Sequence, residues 1–427
     1  MLTNFSAKDQ YESFTKPQLF IAFLLQFARI VLMKTIGIIM ECNPFHNGHE
    51  YILTAAKKQF GADHIIVVSS GDHVQRGEPA IMDKYARTAC ILQAGADLVL
   101  ELPVPFATGS AQYFARGAVA TLLHTGAVDA LLFGSECGDI SMLRSISETS
   151  SESVPAVSED PSAGRPHTGN HTPMAERTAP NDLLAAEYLK ALRHFGSGLP
   201  SYTITRKGSG YHETALTGTN ASASALRTRL LADPSLWSIC AAHMPSYAYA
   251  ALHAYAKDHR FLRPDAYSDL LFYALLQKRC EGYDRYFDVF EDLSNKISSG
   301  IGEFKDVSSF TALLKSKDIT YSHISRALLH ILLGITKEQV AVLTEQYDLC
   351  PYLRILGLRK DASDLMHSVK VQSDRPVLSK LADARTVLEE DALFLLEQDI
   401  FASELYAKTA FKNGGFVSEY RRGLILI

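Results

Sequence analysis

The sequence predicts an α/β protein, with a doubly wound parallel sheet followed by a mostly helical C-terminal domain. Two observations support this class: apolar runs alternate with helix-length segments after residue 34, and almost all of the pattern after residue 234 has helical periodicity. The 427 residues, 47% hydrophobic and 21% charged, suffice for two or three domains. The formal net charge of -5 argues against wholesale coating of nucleic acid but permits a local basic face.

Each predicted strand is a short apolar run that ends at polar or glycine residues. Helices of similar length separate the runs, which indicates parallel strands with right-handed crossovers in a Rossmann-like sheet. Loops at the carboxyl ends of such strands share one crevice, where ligands bind. The strands are expected at about 35–40, 64–69, 97–102, 129–133 and 202–206, and the helices at about 48–60, 82–94, 110–124, 181–194 and from 221.

The chain divides into four predicted segments. Residues 1–32 are interpreted as an extension outside the fold, because Met33 and Lys34 directly precede the first strand. The catalytic domain is predicted over 33–233, and within it residues 145–180, rich in Ser, Glu, Pro, Thr and Gly, are expected to be a flexible insertion. Residues 234–427 form the predicted helical domain.

The cysteines indicate the compartment. Six are scattered along the chain without a CxxC pair, which favours free thiols in a cytoplasmic protein and gives no zinc pattern. No metal ligands are predicted among the side chains.

The most informative motif is His46-Asn-Gly-His49, at the start of the first predicted helix. The unpaired N–H groups and the dipole at a helix N-terminus favour a phosphate. Donors aimed at the α-phosphate of ATP stabilise the charge that develops when a nucleophile attacks it. We therefore interpret His46 and His49 as catalytic residues for adenylyl transfer, with Gly48 leaving room for the nucleotide. The alternative is an ordinary helix cap beside a surface histidine.

A second helix start, Ser222-Ala-Ser224-Ala-Leu-Arg227, follows about 175 residues later. Its hydroxyl and N–H groups are suited to the β and γ phosphates, and Arg227 to the leaving pyrophosphate. The alternative is a chance Ser-rich cap. Together the two motifs resemble the HxGH and ISSTxIR elements of the nucleotidyltransferase superfamily, although Ala221 and Ala223 depart from the second pattern and weaken any exact role for Ser222 and Ser224.

Longer runs of sequence resemble the bacterial tRNA(Met) cytidine acetate ligase family. The resemblance covers Met33 to the C-terminus, apart from the insertion. It implies activation of acetate by ATP to acetyl-adenylate, and transfer of the acetyl group to N4 of the wobble cytidine of elongator tRNA(Met). The charge that has to be neutralised on the phosphates further predicts Mg2+. It implies neither a DNA nor a membrane partner. The matching runs are 41–49, 75–80, 83–87, 94–103, 133–136, 206–212, 315–317, 325–334, 352–357 and 420–423.

The resemblance also implies an ATP site formed by one continuous stretch and three separate residues. Gly134 would let adenine or ribose approach the backbone. The Asn181 amide would hydrogen-bond a polar edge of the nucleotide, and Arg206 would pair with phosphate. The alternatives are a strand-ending turn for Gly134, a helix cap for Asn181 and a solvated arginine for Arg206. From the residues alone the helix cap is preferred for Asn181, and Arg206 is undecided. The stretch comprises Ile39, Met40, Glu41, Cys42, Asn43, Pro44, Phe45, His46, Asn47, Gly48, His49, Glu50, Tyr51 and Ile52.

Two other functions compete with this interpretation: an adenylyltransferase acting on a small phosphorylated metabolite, and a non-catalytic RNA-binding protein. Basic side chains are candidates for contacts with the phosphates of an RNA. His330 and Trp237 are instead expected to pack in the core. The basic candidates are Lys84, Arg87, Lys315, Lys317, Arg326, Arg354, Arg359, Lys360, Arg421 and Arg422.

Overall fold

The computed structural model describes residues 34–149, 179–206 and 221–427. The predicted extension, most of the predicted insertion and the loop 208–212 lie outside the described residues. Both edges of the predicted insertion are helical, since one helix ends at Thr149 and the next begins at Pro180. Residues 145–149 and 180, which were predicted as part of the insertion, therefore belong to helices.

The strands of the described chain lie close to the predicted positions, and several short strands were not anticipated. In chain order they are β1 (Thr35–Ile39), β2 (His64–Ser70), β3 (His73–Val74), β4 (Glu78–Pro79), β5 (Leu98–Leu102), β6 (Ala130–Ser135), β7 (Ser201–Thr205), β8 (Leu353–Leu358), β9 (Val377–Leu378) and β10 (Ile425–Leu426).

The main sheet has the order β10-β8-β5-β2-β1-β6-β7, with β9 paired to β8 and the β3–β4 hairpin separate. Strands β5, β2, β1, β6 and β7 are parallel to one another, as predicted. Strand β8 runs antiparallel to β5, with an irregularity between Val99 and Leu100. The largely helical C-terminal part thus adds strands to the same sheet, which was not predicted, and the boundary at 233/234 stays a prediction.

Helices cover both faces of the sheet, so alternate residues of one strand enter different cores. Ile66 and Val68 face one core, whereas Val67 faces the other. The helices are α1 (Asn47–Lys58), α2 (Lys84–Gln93), α3 (Val104–Ala107), α4 (Ala111–Leu123), α5 (Ile140–Thr149), α6 (Pro180–His194), α7 (Ala223–Ala232), α8 (Trp237–Cys240), α9 (Ser246–Asp258), α10 (Ser268–Lys278), α11 (Glu291–Gly300), α12 (Val307–Leu314), α13 (Tyr321–Leu333), α14 (Lys337–Tyr347), α15 (Ser363–Gln372), α16 (Ala384–Val387) and α17 (Glu390–Ala410).

A buried ionic network joins the sheet to the C-terminal segment. Lys84 Nζ lies 2.8 Å from Glu101 Oε1 and 2.9 Å from Glu419 Oε2, and Arg354 Nη1 lies 2.9 Å from Glu101 Oε2. Burial alone would raise the pKa of Glu419, but Lys84 and Arg354 lower it to about 2. The hypothesis that Lys84 and Arg354 contact RNA phosphates is therefore wrong, because both side chains are buried and paired.

The positions of His330, Trp237 and the cysteines agree with the sequence predictions. His330 is buried, with Nδ1 3.0 Å from Phe287 O and Nε2 3.0 Å from Thr108 Oγ1, so it is a core histidine as predicted. Trp237 packs against Phe261 and donates to Leu230 O. All six cysteines are free thiols. In the ranges that the structure covers, no helix combines the length and apolar character needed to cross a membrane.

Candidate active site

Helix α1 begins with a reciprocal cap made by the two predicted catalytic histidines. His46 is extended (φ -144°, ψ 173°), as expected of a capping residue. Its Nδ1 accepts a hydrogen bond from Gly48 N at 3.0 Å, and His49 Nδ1 accepts one from His46 N at 3.2 Å. The ring centroids lie only 4.0 Å apart. The pair therefore takes the place of the Ser and Glu of a common capping box.

This cap fixes the tautomer of both rings. Because a backbone N–H donates to each Nδ1, the proton of each neutral ring lies on Nε2. Burial, with further contributions from Arg206 and Arg227, lowers the pKa of His46 to about 3. Burial followed by the neighbouring His46 lowers the pKa of His49 well below its usual value. At neutral pH the two rings are thus uncharged and each presents one Nε2–H donor, so capping and a catalytic role are compatible.

Gly48 makes the close packing of this cap possible. A Cβ added at Gly48 would lie 2.7 Å from His46 Cε1 and 3.0 Å from His46 Nδ1. Carbon atoms in contact are ordinarily 3.5–4.0 Å apart. The glycine therefore accommodates the His46 ring, and because Gly48 also lines the cavity described below, the role of leaving room for the nucleotide stays a prediction.

The second predicted phosphate element meets the first. Ser222 caps helix α7, and its Oγ accepts a hydrogen bond from Ala225 N at 3.2 Å. Arg227 Nη1 donates to Asn43 O at 2.7 Å, and its Nη2 donates to Ser224 Oγ at 3.3 Å. The N-terminus of α7 is thereby tied to the loop that leads into α1.

Glu41 lies between β1 and the cap, beside the β3–β4 hairpin. Its Oε1 accepts hydrogen bonds from Gln75 N at 2.7 Å and Ser70 Oγ at 3.5 Å. Burial raises the pKa of Glu41, although the Gln75 N–H and then Arg227 oppose this. The buried Arg87 donates to Glu41 O at 2.7 Å and to other carbonyl oxygens, so the hypothesis that Arg87 contacts RNA is wrong.

Gly134 and Arg206 form part of the opposite wall. Arg206 follows β7, and its backbone N donates to Ser135 O at 2.9 Å while its side chain is exposed. A Cβ at Gly134 would lie 3.1 Å from Arg206 Cγ. Gly134 therefore leaves space for the stem of Arg206, a reason that the sequence did not reveal.

Asn181 contributes from the first turn of α6. Its Nδ2 donates to Glu136 Oε1, while Asp182 Oδ1 accepts from Glu136 N at 2.7 Å and Cys137 N at 3.1 Å. The cap residue of this helix is Ala179, followed by Pro180. The alternative of Asn181 as a helix cap is thus wrong, and its amide instead holds the loop after β6.

All of these elements border a cavity of about 250 Å3. The predicted ATP-site residues that line it are Ile39, Met40, Glu41, Cys42, Asn43, His46, Gly48, His49, Tyr51, Ile52, Gly134, Asn181, Arg206, Ser222, Ser224 and Arg227. Lining residues that the site prediction missed are Val74, Gln75, Arg76, Phe114, Phe133, Glu136, Leu184, Tyr188, Ile204, Ala221 and Ala223. Most of the missed residues are apolar, and nothing in the sequence separates them from the core.

Four residues of the predicted stretch support the site from outside the cavity lining. Phe45 packs on His49, with ring centroids 5.4 Å apart. Asn47 Nδ2 donates to Ala242 O at 3.1 Å, and Glu50 Oε1 accepts from Tyr247 OH at 3.0 Å. Pro44 is buried in the turn before the cap. For these four the structure shows a supporting role, and the contact with the nucleotide stays a prediction.

The fold and the cavity define a nucleotidyltransferase of the HIGH class, and the family model described as HIGH Nucleotidyl Transferase matches residues 33–417. Among similar proteins is the tRNA(Met) cytidine acetate ligase of Thermoanaerobacter sp. (strain X514), 35% identical over 398 residues, covering 89% of this chain and 96% of the relative. The ligase of that name from Acetivibrio thermocellus is 34% identical, covering 92% and 100%. The chain belongs to the tRNA(Met) cytidine acetate ligase family.

A solved structure supports the same assignment. Thermotoga maritima TmcAL bound with alpha-thio ATP matches with a TM-score of 0.81 and 26% sequence identity, over 92% of this chain and 100% of that one. Its apo form matches equally well, also with a TM-score of 0.81. The predicted fold class and family are thereby confirmed.

Proposed function

We propose that this chain activates acetate with ATP to form acetyl-adenylate and pyrophosphate, and then acetylates N4 of the wobble cytidine of elongator tRNA(Met). The relatives bear the name of a tRNA(Met) cytidine acetate ligase. The observation that carries the proposal is the pair of neutral histidines at the start of α1, which both line the cavity and whose Nδ1 atoms both accept backbone N–H groups.

In the first step, an acetate oxygen attacks the α-phosphorus, and the bond to the β-phosphate oxygen breaks. Ionised acetate needs no base, so the protein has to align the reactants and stabilise the developing charge. His46 and His49 donate to the α-phosphate oxygens, while Arg227 and the start of α7 bind the departing pyrophosphate. Neutral rings provide these hydrogen bonds without a proton transfer.

Mg2+ fits the site as an ion that arrives on the triphosphate. In the described part of the chain, no three His, Cys, Asp or Glu side chains cluster as metal ligands. Mg2+ commonly binds through substrate phosphates with few protein oxygens. The Ser222 and Ser224 hydroxyls would hold it, and when bound it supplies charge neutralisation on the phosphates.

In the second step, the protein positions the unpaired cytosine against the acetyl-adenylate and excludes water. Residues 33–233 act as the catalytic domain, and residues 234–427 bind the tRNA in the cytoplasm. Four predicted basic side chains of this helical part remain exposed and suited to phosphate contact: Lys315, Lys317, Lys360 and Arg421.

The test is incubation of the full chain with ATP, labelled acetate and bulk tRNA. The proposal predicts label in a cytidine of one tRNA species and ATP–pyrophosphate exchange that depends on acetate. Exchange without acetate, with a stable dinucleotide product, would instead indicate the small-metabolite adenylyltransferase. Transfer that persists after His49→Ala would favour a non-catalytic role for the cavity.

A further inference from the structure

We infer that Glu41 is the base that removes the N4 proton of cytidine during acetyl transfer. This inference rests on the proposed function and adds a catalytic residue to its second step. The base has to line the cavity and to have an oxygen or nitrogen atom that can accept the N4 proton.

The chemistry of the second step requires a proton acceptor. The lone pair of the cytosine amino group is delocalised into the ring, so this amine is weakly nucleophilic and becomes acidic as the N4–carbon bond forms. The carbon–oxygen bond to the phosphate breaks, and AMP leaves with the electron pair. The N4 proton passes to a carboxylate, which later releases it to solvent. A positioned base contributes about 10²–10⁴-fold to such a step.

Most titratable groups in the cavity are unable to act as that base. The Nδ1 atoms of His46 and His49 already accept backbone N–H groups, and their Nε2 atoms carry the protons. Burial raises the pKa of Tyr188 and of Cys42, so both stay protonated. Arginine does not lose its proton in proteins. Two carboxylates remain among the described lining residues, Glu41 and Glu136.

Geometry separates these two carboxylates. Glu136 Oε1 accepts a hydrogen bond from Asn181 Nδ2. Its Oε2 is buried and has no hydrogen-bond partner in the described chain. Glu41 receives its hydrogen bonds on Oε1, from Gln75 N and Ser70 Oγ, and no described residue donates to its Oε2.

The position of Glu41 also matches the reacting end of the nucleotide. Glu41 lies five residues before His46 on the same segment. Arg227 contacts the loop between these two residues, and its positive charge partly opposes the rise that burial causes in the pKa of Glu41. Glu41 thus lines the same cavity as the groups assigned to the α-phosphate, where the acetyl group is attached. Burial, which raises its pKa, makes the carboxylate a stronger base than an exposed one.

The test separates the two steps in the full chain with Glu41→Gln. Glutamine keeps an oxygen for the Gln75 N–H and has nearly the same shape, so a purely structural role is preserved. We expect acetyl transfer to tRNA to fall by about 10²-fold or more beyond whatever change the variant shows in acetate-dependent exchange. Hydroxylamine, a strong nucleophile that needs no base, should trap acetyl-adenylate as acetohydroxamate at a rate that follows the exchange rate of the variant, without the additional loss seen with tRNA.

Two further variants serve as controls. Glu187→Gln on α6 removes a carboxylate that is paired with Lys190 outside the cavity lining, and it should leave both steps unchanged. Glu41→Asp keeps a carboxylate and should restore part of the transfer rate. Thermal unfolding of each variant checks that the fold is retained.

Other results would overturn the inference. Normal transfer by Glu41→Gln would show that no proton passes to this residue. A parallel loss of exchange and transfer, restored by excess Mg2+, would assign Glu41 to the metal instead. If the unchanged protein itself lacked acetate-dependent exchange, the proposed function would fail first, so the two failures are distinguishable.

Discussion

Gly48→Ala is the perturbation whose outcome follows most directly from the geometry of the cap. The added Cβ would lie 2.7 Å from His46 Cε1, against the 3.5–4.0 Å of an ordinary carbon contact, so the ring has to move by about 1 Å. That movement breaks the 3.0 Å hydrogen bond from Gly48 N to His46 Nδ1. It also redirects the Nε2–H that is proposed to reach the α-phosphate.

The expected effects on stability and on activity differ. Loss of the cap costs about 1 kcal/mol, and alanine in place of glycine within a helix returns about 0.5–1 kcal/mol. The free energy of unfolding should therefore change little. A displacement of about 1 Å in a catalytic donor lowers the rate by about 10²-fold. We expect acetate-dependent ATP–pyrophosphate exchange to fall by that factor in a folded protein.

The assay measures exchange rate and urea unfolding of the same preparation. Gly302→Ala is the matched control, because a Cβ at Gly302 meets no atom within 4 Å. Exchange within about threefold of the unchanged protein after Gly48→Ala would refute the argument that the position of the His46 ring controls catalysis. A large fall in the free energy of unfolding would show that the cap contributes more than about 1 kcal/mol.

Three other predictions concern stability and RNA binding. Lys84→Met leaves the buried carboxylates of Glu101 and Glu419 with Arg354 as their shared cation, so one buried charge is uncompensated and urea unfolding should show a loss of about 3–5 kcal/mol. Burial lowers the pKa of His46 and of His73 to about 3, whereas a histidine in the unfolded chain binds its proton near pH 6.5. Between these two values only the unfolded chain is protonated at these positions. The free energy of unfolding should therefore fall as the pH drops from 6.5 towards 3, by about 1.4 kcal/mol per pH unit for each histidine. His73→Gln should reduce that slope by one proton, and an unchanged slope would contradict the assignment. Replacing the exposed Lys315 and Lys317 by Ala should weaken tRNA binding and its salt dependence without altering exchange; unchanged binding would place the RNA elsewhere.

The sequence predicted the parts of the fold that local patterns encode. The apolar runs of β1, β2 and β5 and the helices between them are recognisable because each run ends at polar or turn residues. The cap at His46 was also predictable, since its hydrogen bonds join residues no more than three positions apart. A doubly wound core and the phosphate end of the site follow from such signals.

The parts that were missed depend on contacts between distant residues. Strand β8 pairs with β5, although Leu98 and Leu358, for example, lie about 260 positions apart in the sequence. A short apolar run predicts a strand but not the strand with which it pairs. The burial of Arg354 depends on Glu101 and Glu419, which local sequence does not place beside it. For the same reason the apolar wall of the cavity, including Phe133 and Tyr188, is indistinguishable from ordinary core in the sequence.

We expect the paired histidines to bind the α-phosphate of ATP through their Nε2–H groups. A crystal structure of this protein with a non-hydrolysable ATP analogue tests it most directly. We predict both Nε2 atoms within hydrogen-bond distance, about 2.7–3.2 Å, of α-phosphate oxygens, with both Nδ1 atoms still accepting backbone N–H groups. A triphosphate bound away from the start of α1, or a cap that opens when the nucleotide binds, would contradict the account.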